Sequence, residues 1–136
     1  MNLHACLRVD ATHEKVWVTF MAENRGERRV WLPRAIAADT GLTGALFDLR
    51  THPDGPPLAY RGPAQNDRAP TADDYVELPP HSAHTHTIDV THAYDFQPGE
   101  HAYAIHYRGE AVQDIRQPGV TTGFDTQPVV FRHVAP

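Results

Sequence analysis

At 136 residues with 40% hydrophobic content, the chain suits one domain that buries about two thirds of its unfolded surface, which excludes wholesale disorder. A net charge of −5 and a pI near 6.0, with dispersed arginines, exclude the basic stripe of a nucleic-acid surface. No stretch reaches membrane-spanning length and no basic-then-apolar leader is visible, so the expected setting is cytoplasmic, or periplasmic or secreted for a chain trimmed of its leader.

Residues 3–9 alternate, with Leu3, Ala5, Leu7 and Val9 on one side, and predict a first strand. The lone cysteine, Cys6, falls on its other face and has no internal disulfide partner. Lys15 to Glu23 predicts a second strand with Val16, Val18 and Phe20 facing a core. Asn24 to Glu27 reads as a turn, Val30 to Leu32 as an extended run ended by Pro33, and residues 34–41 as one helical turn stopped by Gly41. Leu42 to Pro63 then reads as a central β-hairpin. Ala45, Phe47 and Leu49 alternate into a Pro53-Asp54-Gly55 turn, and Leu58 and Tyr60 alternate on the return.

Residues 63–74 are polar and proline-bearing, which predicts a surface loop. Tyr75 to Leu78 is a short strand, and His84 to Val90 alternates with Ile88 and Val90 on the side of His84 and His86. Thr91 to Phe96 reads as a short helical turn. His101 to Tyr107 is a strand with Tyr103, Ile105 and Tyr107 on one face. Residues 109–126 read as a long polar connection before a closing strand from Pro128 to Val134. Seven to nine short strands with turns between them predict a single all-β domain spanning 1–136, an antiparallel immunoglobulin-like or fibronectin-like β-sandwich. A small barrel is the alternative.

Several phrases recur in a familiar order. Val16-Trp17-Val18-Thr19-Phe20 runs into Asn24-Arg25-Gly26. Trp31-Leu32-Pro33 precedes Gly44-Ala45-Leu46-Phe47. Asp54-Gly55, Tyr60-Arg61-Gly62-Pro63, Asp74-Tyr75-Val76, Ala93-Tyr94-Asp95 and Pro98-Gly99 follow. Over residues 3–108 the set resembles the non-catalytic β-sandwich domain that precedes the protease domain in lysine-specific metalloendopeptidases of the aspzincin group. The resemblance does not extend to their HExxH zinc helix. The one His-Glu pair is His13-Glu14, Trp17 stands where the second histidine would be, and the surrounding pattern is strand, not helix. It therefore implies a stand-alone relative of the accessory domain without peptidase activity.

Among chemistry-bearing groups, His81-Ser82-Ala83-His84-Thr85-His86 is the densest. On a strand His84 and His86 project from one face about 7 Å apart and could grip zinc or copper, with His81, His92 or His101 as a third ligand. The competing reading is a pair of histidines at a strand end or packed under a sheet edge. Ser82 lies in a Pro-Pro-His-Ser turn, not on a nucleophile elbow. Asp73 with Asp74, and Asp89 with Asp95, are carboxylate pairs of the kind that serve acid–base chemistry, and turn carboxylates are more often solvated. Tyr94 and Tyr103, flanking Pro98-Gly99, suggest the tyrosine corner of a Greek-key sandwich.

Two loops offer partner-binding residues: Arg61, Asn66 and Arg68 in 61–74, and Ile115, Arg116 and Phe124 in 109–126. The expectation is a non-catalytic interaction module with no cofactor, bound to another protein. The resemblance suggests a protease-associated accessory, inhibitor or immunity-type role. A small metal-binding protein is the alternative. Exposed strand edges can also pair into a homodimer.

Overall fold

The computed structural model describes residues 1–12, 14–64 and 68–136. The strands are β1 (Leu3–Ala11), β2 (Val16–Asn24), β3 (Val30–Pro33), β4 (Phe47–Thr51), β5 (Tyr75–Leu78), β6 (Ser82–Asp89), β7 (Gly99–Val112), β8 (Thr121–Asp125) and β9 (Val129–Ala135). One helical turn, α1 (Arg34–Ala37), follows β3, and a 3-10 turn at Ala72–Asp74 leads into β5. They form an all-β sandwich of two antiparallel sheets. The three-stranded sheet has the order β1-β2-β6. The six-stranded sheet runs β4-β7-β3-β5, with β8 and β9 also paired to β7.

Period-two alternation builds this arrangement. In β2 the side chains of Val16, Val18, Phe20 and Ala22 are buried, and Ile88 and Val90 extend that layer. Leu49, Tyr103, Ile105 and Tyr107 face them from the other sheet. Phe20 meets Tyr107 edge-to-face, with ring centroids 5.8 Å apart, and its complete burial alone contributes about 2–3 kcal/mol. Thr19 is buried too, although it lies on the opposite face of β2. Its hydroxyl pairs with that of Thr87 at 2.9 Å, which satisfies both.

Buried polar side chains fasten the ends. Asn24 Nδ2 donates to Arg28 O (2.8 Å) and Leu78 O (3.1 Å), while its Oδ1 accepts from Gly26 N–H (3.0 Å). It thus joins the end of β2 to the end of β5 in the other sheet. His133 on β9 bonds through Nδ1 to Thr12 O in the β1–β2 turn at 3.0 Å. Tyr103 hydroxyl accepts from Gln97 N–H six residues earlier, at 3.1 Å. The Tyr94 hydroxyl accepts from Phe47 N–H (3.0 Å) and donates to Phe47 O (3.2 Å). Both tyrosines anchor backbone as the corner reading requires.

Three expectations change. The central hairpin is replaced by a longer-range pairing, because β4 ladders with β7 from Phe47↔Tyr107 to Thr51↔Tyr103. Its return strand shrinks to an Arg50↔Pro57 bridge and one Leu58 N–H bond to Leu49 O (2.8 Å). Pro56 and Pro57 have no N–H and cannot continue a ladder. The connection 109–126 is instead mostly a hairpin. β7 runs on to Val112 because Ala111 and Val112 are fully buried, and β8 returns beside it from Val112↔Thr121 to Arg108↔Asp125. Only residues 113–120 turn. Finally, Thr91 to Phe96 forms a non-helical turn, in which Tyr94 bridges Tyr60.

Candidate functional site

The histidines of β6 inherit their direction from its alternation. His84 and His86 point to the same side as Ile88, opposite Ala22 and Phe20 of β2. There they meet the segment leaving α1. His84 Nε2 lies 2.6 Å from Ala37 O, and His86 Nε2 lies 2.6 Å from Asp39 O. A carbonyl can only accept, so both Nε2 atoms carry the hydrogen and donate. The two rings satisfy carbonyls left open at the end of a helical turn. His81 sits elsewhere, on left-handed backbone (φ 56) before β6, with Nε2 3.1 Å from Glu27 Oε1. Among the described residues no group of three or more His, Cys, Asp or Glu side chains is placed to hold a metal ion.

The other acid–base candidates are likewise held by neighbours. Ser82 hydroxyl donates to Pro79 O (2.6 Å) within its turn. Asp89 accepts from Thr91 hydroxyl (2.5 Å) and Thr91 N–H (2.9 Å), and Lys15 stands 3.5 Å away. Burial raises its pKa, but those hydrogen bonds and Lys15 together hold it below the usual carboxylate value. Asp95 pairs with Arg61 at 3.0 Å.

The two loops resolve into local ion pairs. Arg68 forks onto Asp74 at 2.9 and 2.5 Å, and Asp74 also accepts from Thr71 N–H (2.8 Å), closing the 3-10 turn. Arg116 forks onto Asp114 at 3.0 and 3.1 Å. In both cases the arginine's hydrogen bonds are the main reason the carboxyl titrates below its ordinary value. Ile115 is half-buried in the β7–β8 turn. Phe124 turns inward, packing on Tyr107 (5.7 Å) and Phe20 (6.4 Å), so it belongs to the core layer rather than to a contact surface. Asn66 lies outside the described residues.

An open groove of about 600 Å³ runs along the outer side of β4, and none of those loop residues lines it. Its lining includes Leu46, Leu58 and Tyr60 together with Arg50, His106 and Arg108. The β4–β7 register creates this lining, because Asp48 falls opposite His106 and Arg50 opposite Ala104 on the face turned away from the core. Arg50 forks onto Asp48 at 2.8 and 3.2 Å. That bond is the leading reason Asp48 titrates below the usual range, with His106 and Arg108 adding to it. Arg108 itself is exposed and makes no ion pair or hydrogen bond through its guanidinium among the described residues. The row from Arg50 through Ala104 continues to Val130, an apolar side chain that is 53% exposed.

These groove residues were accessible from alternation, since His106 and Arg108 occupy the face opposite Ile105 and Tyr107. Their partner strand was not accessible. Comparison with family models and with curated proteins finds no match for this chain. Fold and site together define an all-β sandwich with an open surface groove.

Proposed function

We propose that this chain is a non-catalytic interaction module, immunoglobulin-like in build, that docks an acidic segment of another protein into the groove beside β4. A protease is the partner class that the aspzincin resemblance suggests, with the chain acting as its accessory, inhibitor or immunity-type protein. The observation that carries the reading is Arg108, an exposed guanidinium with no hydrogen bond or ion pair among the described residues, lining the same groove as the apolar Leu46 and Leu58. Apolar side chains combined with arginine are the composition of a protein-recognition surface, where arginine is enriched. The groove is open rather than enclosed, which suits a polypeptide segment better than a small molecule held in a cavity.

The test is capture by immobilised protein from its native lysate and secreted fraction, run beside an Arg108→Glu/Leu58→Asp variant. The reading predicts near-stoichiometric capture of one protein by the wild type and its loss by the variant. Equal capture by both, or an empty wild-type bait, contradicts it.

A further inference from the structure

The two outer strands of the three-stranded sheet differ in how their free edges are protected. Val90 N–H donates to Val16 O at 2.9 Å, just beyond the Trp17↔Asp89 pair. Even-numbered residues of β6 therefore direct their N–H and C=O groups at β2, and Ala83, Thr85 and Thr87 direct theirs away. These three residues are exposed, and their backbone groups have no partner among the described residues. The segment after α1 does not cover them, since it meets β6 through the rings of His84 and His86 on the inner face. On β1 the Asn2 O bond from Arg25 N–H fixes the same logic, and Leu7 is among the residues turned outward. Leu7 is only 5% exposed, however, and the β1 segment carries Arg8 and Asp10.

Edges left open in water are normally blunted by charge, proline or a bulge. Ser82 to Ile88 contains no Asp, Glu, Lys, Arg, Pro or Gly, and Thr85 and Thr87 are β-branched. We propose that the β6 edge is a strand-addition site whose occupant is β6 of a second copy of this chain. An antiparallel pairing with its two-fold axis at Thr85 sets Thr87 opposite Ala83 of the other copy. Each such pair exchanges two backbone hydrogen bonds. No like charges meet across the axis in this register, and the flanking His81 and Asp89 stay held within their own copy by Glu27 and by Thr91 and Lys15. The net charge of −5 opposes association elsewhere, and no carboxylate lies between Ser82 and Ile88 to add to it. The paired sheets join into one continuous six-stranded sheet. The short overlap is smaller than a standard interface, so the dissociation constant is expected to be weaker than about 1 μM.

This inference is independent of the groove beside β4, and its test does not touch that groove. Sedimentation velocity from about 10 μM to about 1 mM should show a monomer–dimer equilibrium in the wild type. Thr85→Lys, an exposed change that places like charges against each other at the axis, should leave only monomer. Register is read by mild oxidation of two variants in a Cys6→Ser background. Thr85→Cys should form a covalent dimer, because the axis pair falls within disulfide reach. Thr87→Cys should not, because its two copies stand about 13 Å apart along the strands. A wild type that stays monomeric throughout, a dimer indifferent to Thr85→Lys, or equal cross-linking of both cysteine variants overturns the proposal.

Discussion

Replacing Tyr94 by Phe removes one oxygen and leaves the ring that stacks edge-on against Tyr60 at 5.5 Å. That oxygen is the partner of both backbone groups of Phe47, at the outer edge of β4 where Phe47 is 6% exposed. An unsatisfied buried donor costs about 1–3 kcal/mol, and a carbonyl with a second lone pair loses less, so the total is about 2 kcal/mol. For a domain of this size that lowers Tm by roughly 6–10 °C. Urea melts followed by tryptophan fluorescence should show a lower midpoint at unchanged m.

The same residue sets an alkaline limit. Burial raises the Tyr94 phenol from its ordinary 10.0 to about 12. The folded state keeps that proton where the unfolded chain gives it up. The stabilisation is therefore complete below pH 10 and is lost as pH rises from 10 to 12, on the order of 2–3 kcal/mol in all. Burial raises Tyr107 as well, and Tyr107 remains in the variant. The stability gap between wild type and Tyr94→Phe should thus narrow over pH 10–12 without the variant becoming flat. A variant within about 0.3 kcal/mol of wild type at pH 7, or a gap that does not narrow, would refute the role assigned to this hydroxyl.

Three further outcomes follow from the packing. Asn24→Asp turns a carboxylate toward Arg28 O and Leu78 O in place of a donor. It should cost about 3 kcal/mol at pH 7, with thermal melts recovering as acid protonates the new carboxyl. Gly109→Ala drives a methyl into the Tyr107 ring, which Phe20, Phe47 and Phe124 hold in place. It should cost about 1–3 kcal/mol, whereas Gly119→Ala, whose added carbon meets nothing, should stay within about 0.5 kcal/mol in the same urea series. His84→Ala and His86→Ala should each cost about 1 kcal/mol by loss of a carbonyl bond. A chelator should leave the wild-type Tm unchanged, and a chelator-induced drop would return those rings to metal binding.

What could be read in the chain depended on the range of the interaction. Alternation in Leu3 to Val9, Lys15 to Glu23 and His101 to Tyr107 located the strands because side-chain direction is a local property. Tyr103 was also legible as a corner residue, since it reaches back only six residues, whereas the Phe47 partner of Tyr94 lies 47 residues away. The hairpin at 42–63 misled because its turn residues are genuine and Gly55 N–H does close on Thr51 O at 2.8 Å, while two prolines withhold the ladder. The β7–β8 hairpin was hidden by Gly109 and Glu110, which look loop-like until the Tyr107 ring is seen lying over the glycine. The spacing of His84 and His86 was correct, yet their partners at Ala37 and Asp39 lie 47 residues away. The groove depends on β4 meeting β7, a pairing that no local pattern encodes.

The central claim, docking through the groove beside β4, is tested most directly by comparing capture by wild-type and Arg108→Glu/Leu58→Asp baits from the same native extract. Both substitutions alter lining residues of the groove and leave the Arg61, Arg68 and Arg116 ion pairs in place. The account predicts one protein held in near-stoichiometric amount by the wild type and released by the variant. Retention of that protein by the variant would contradict it.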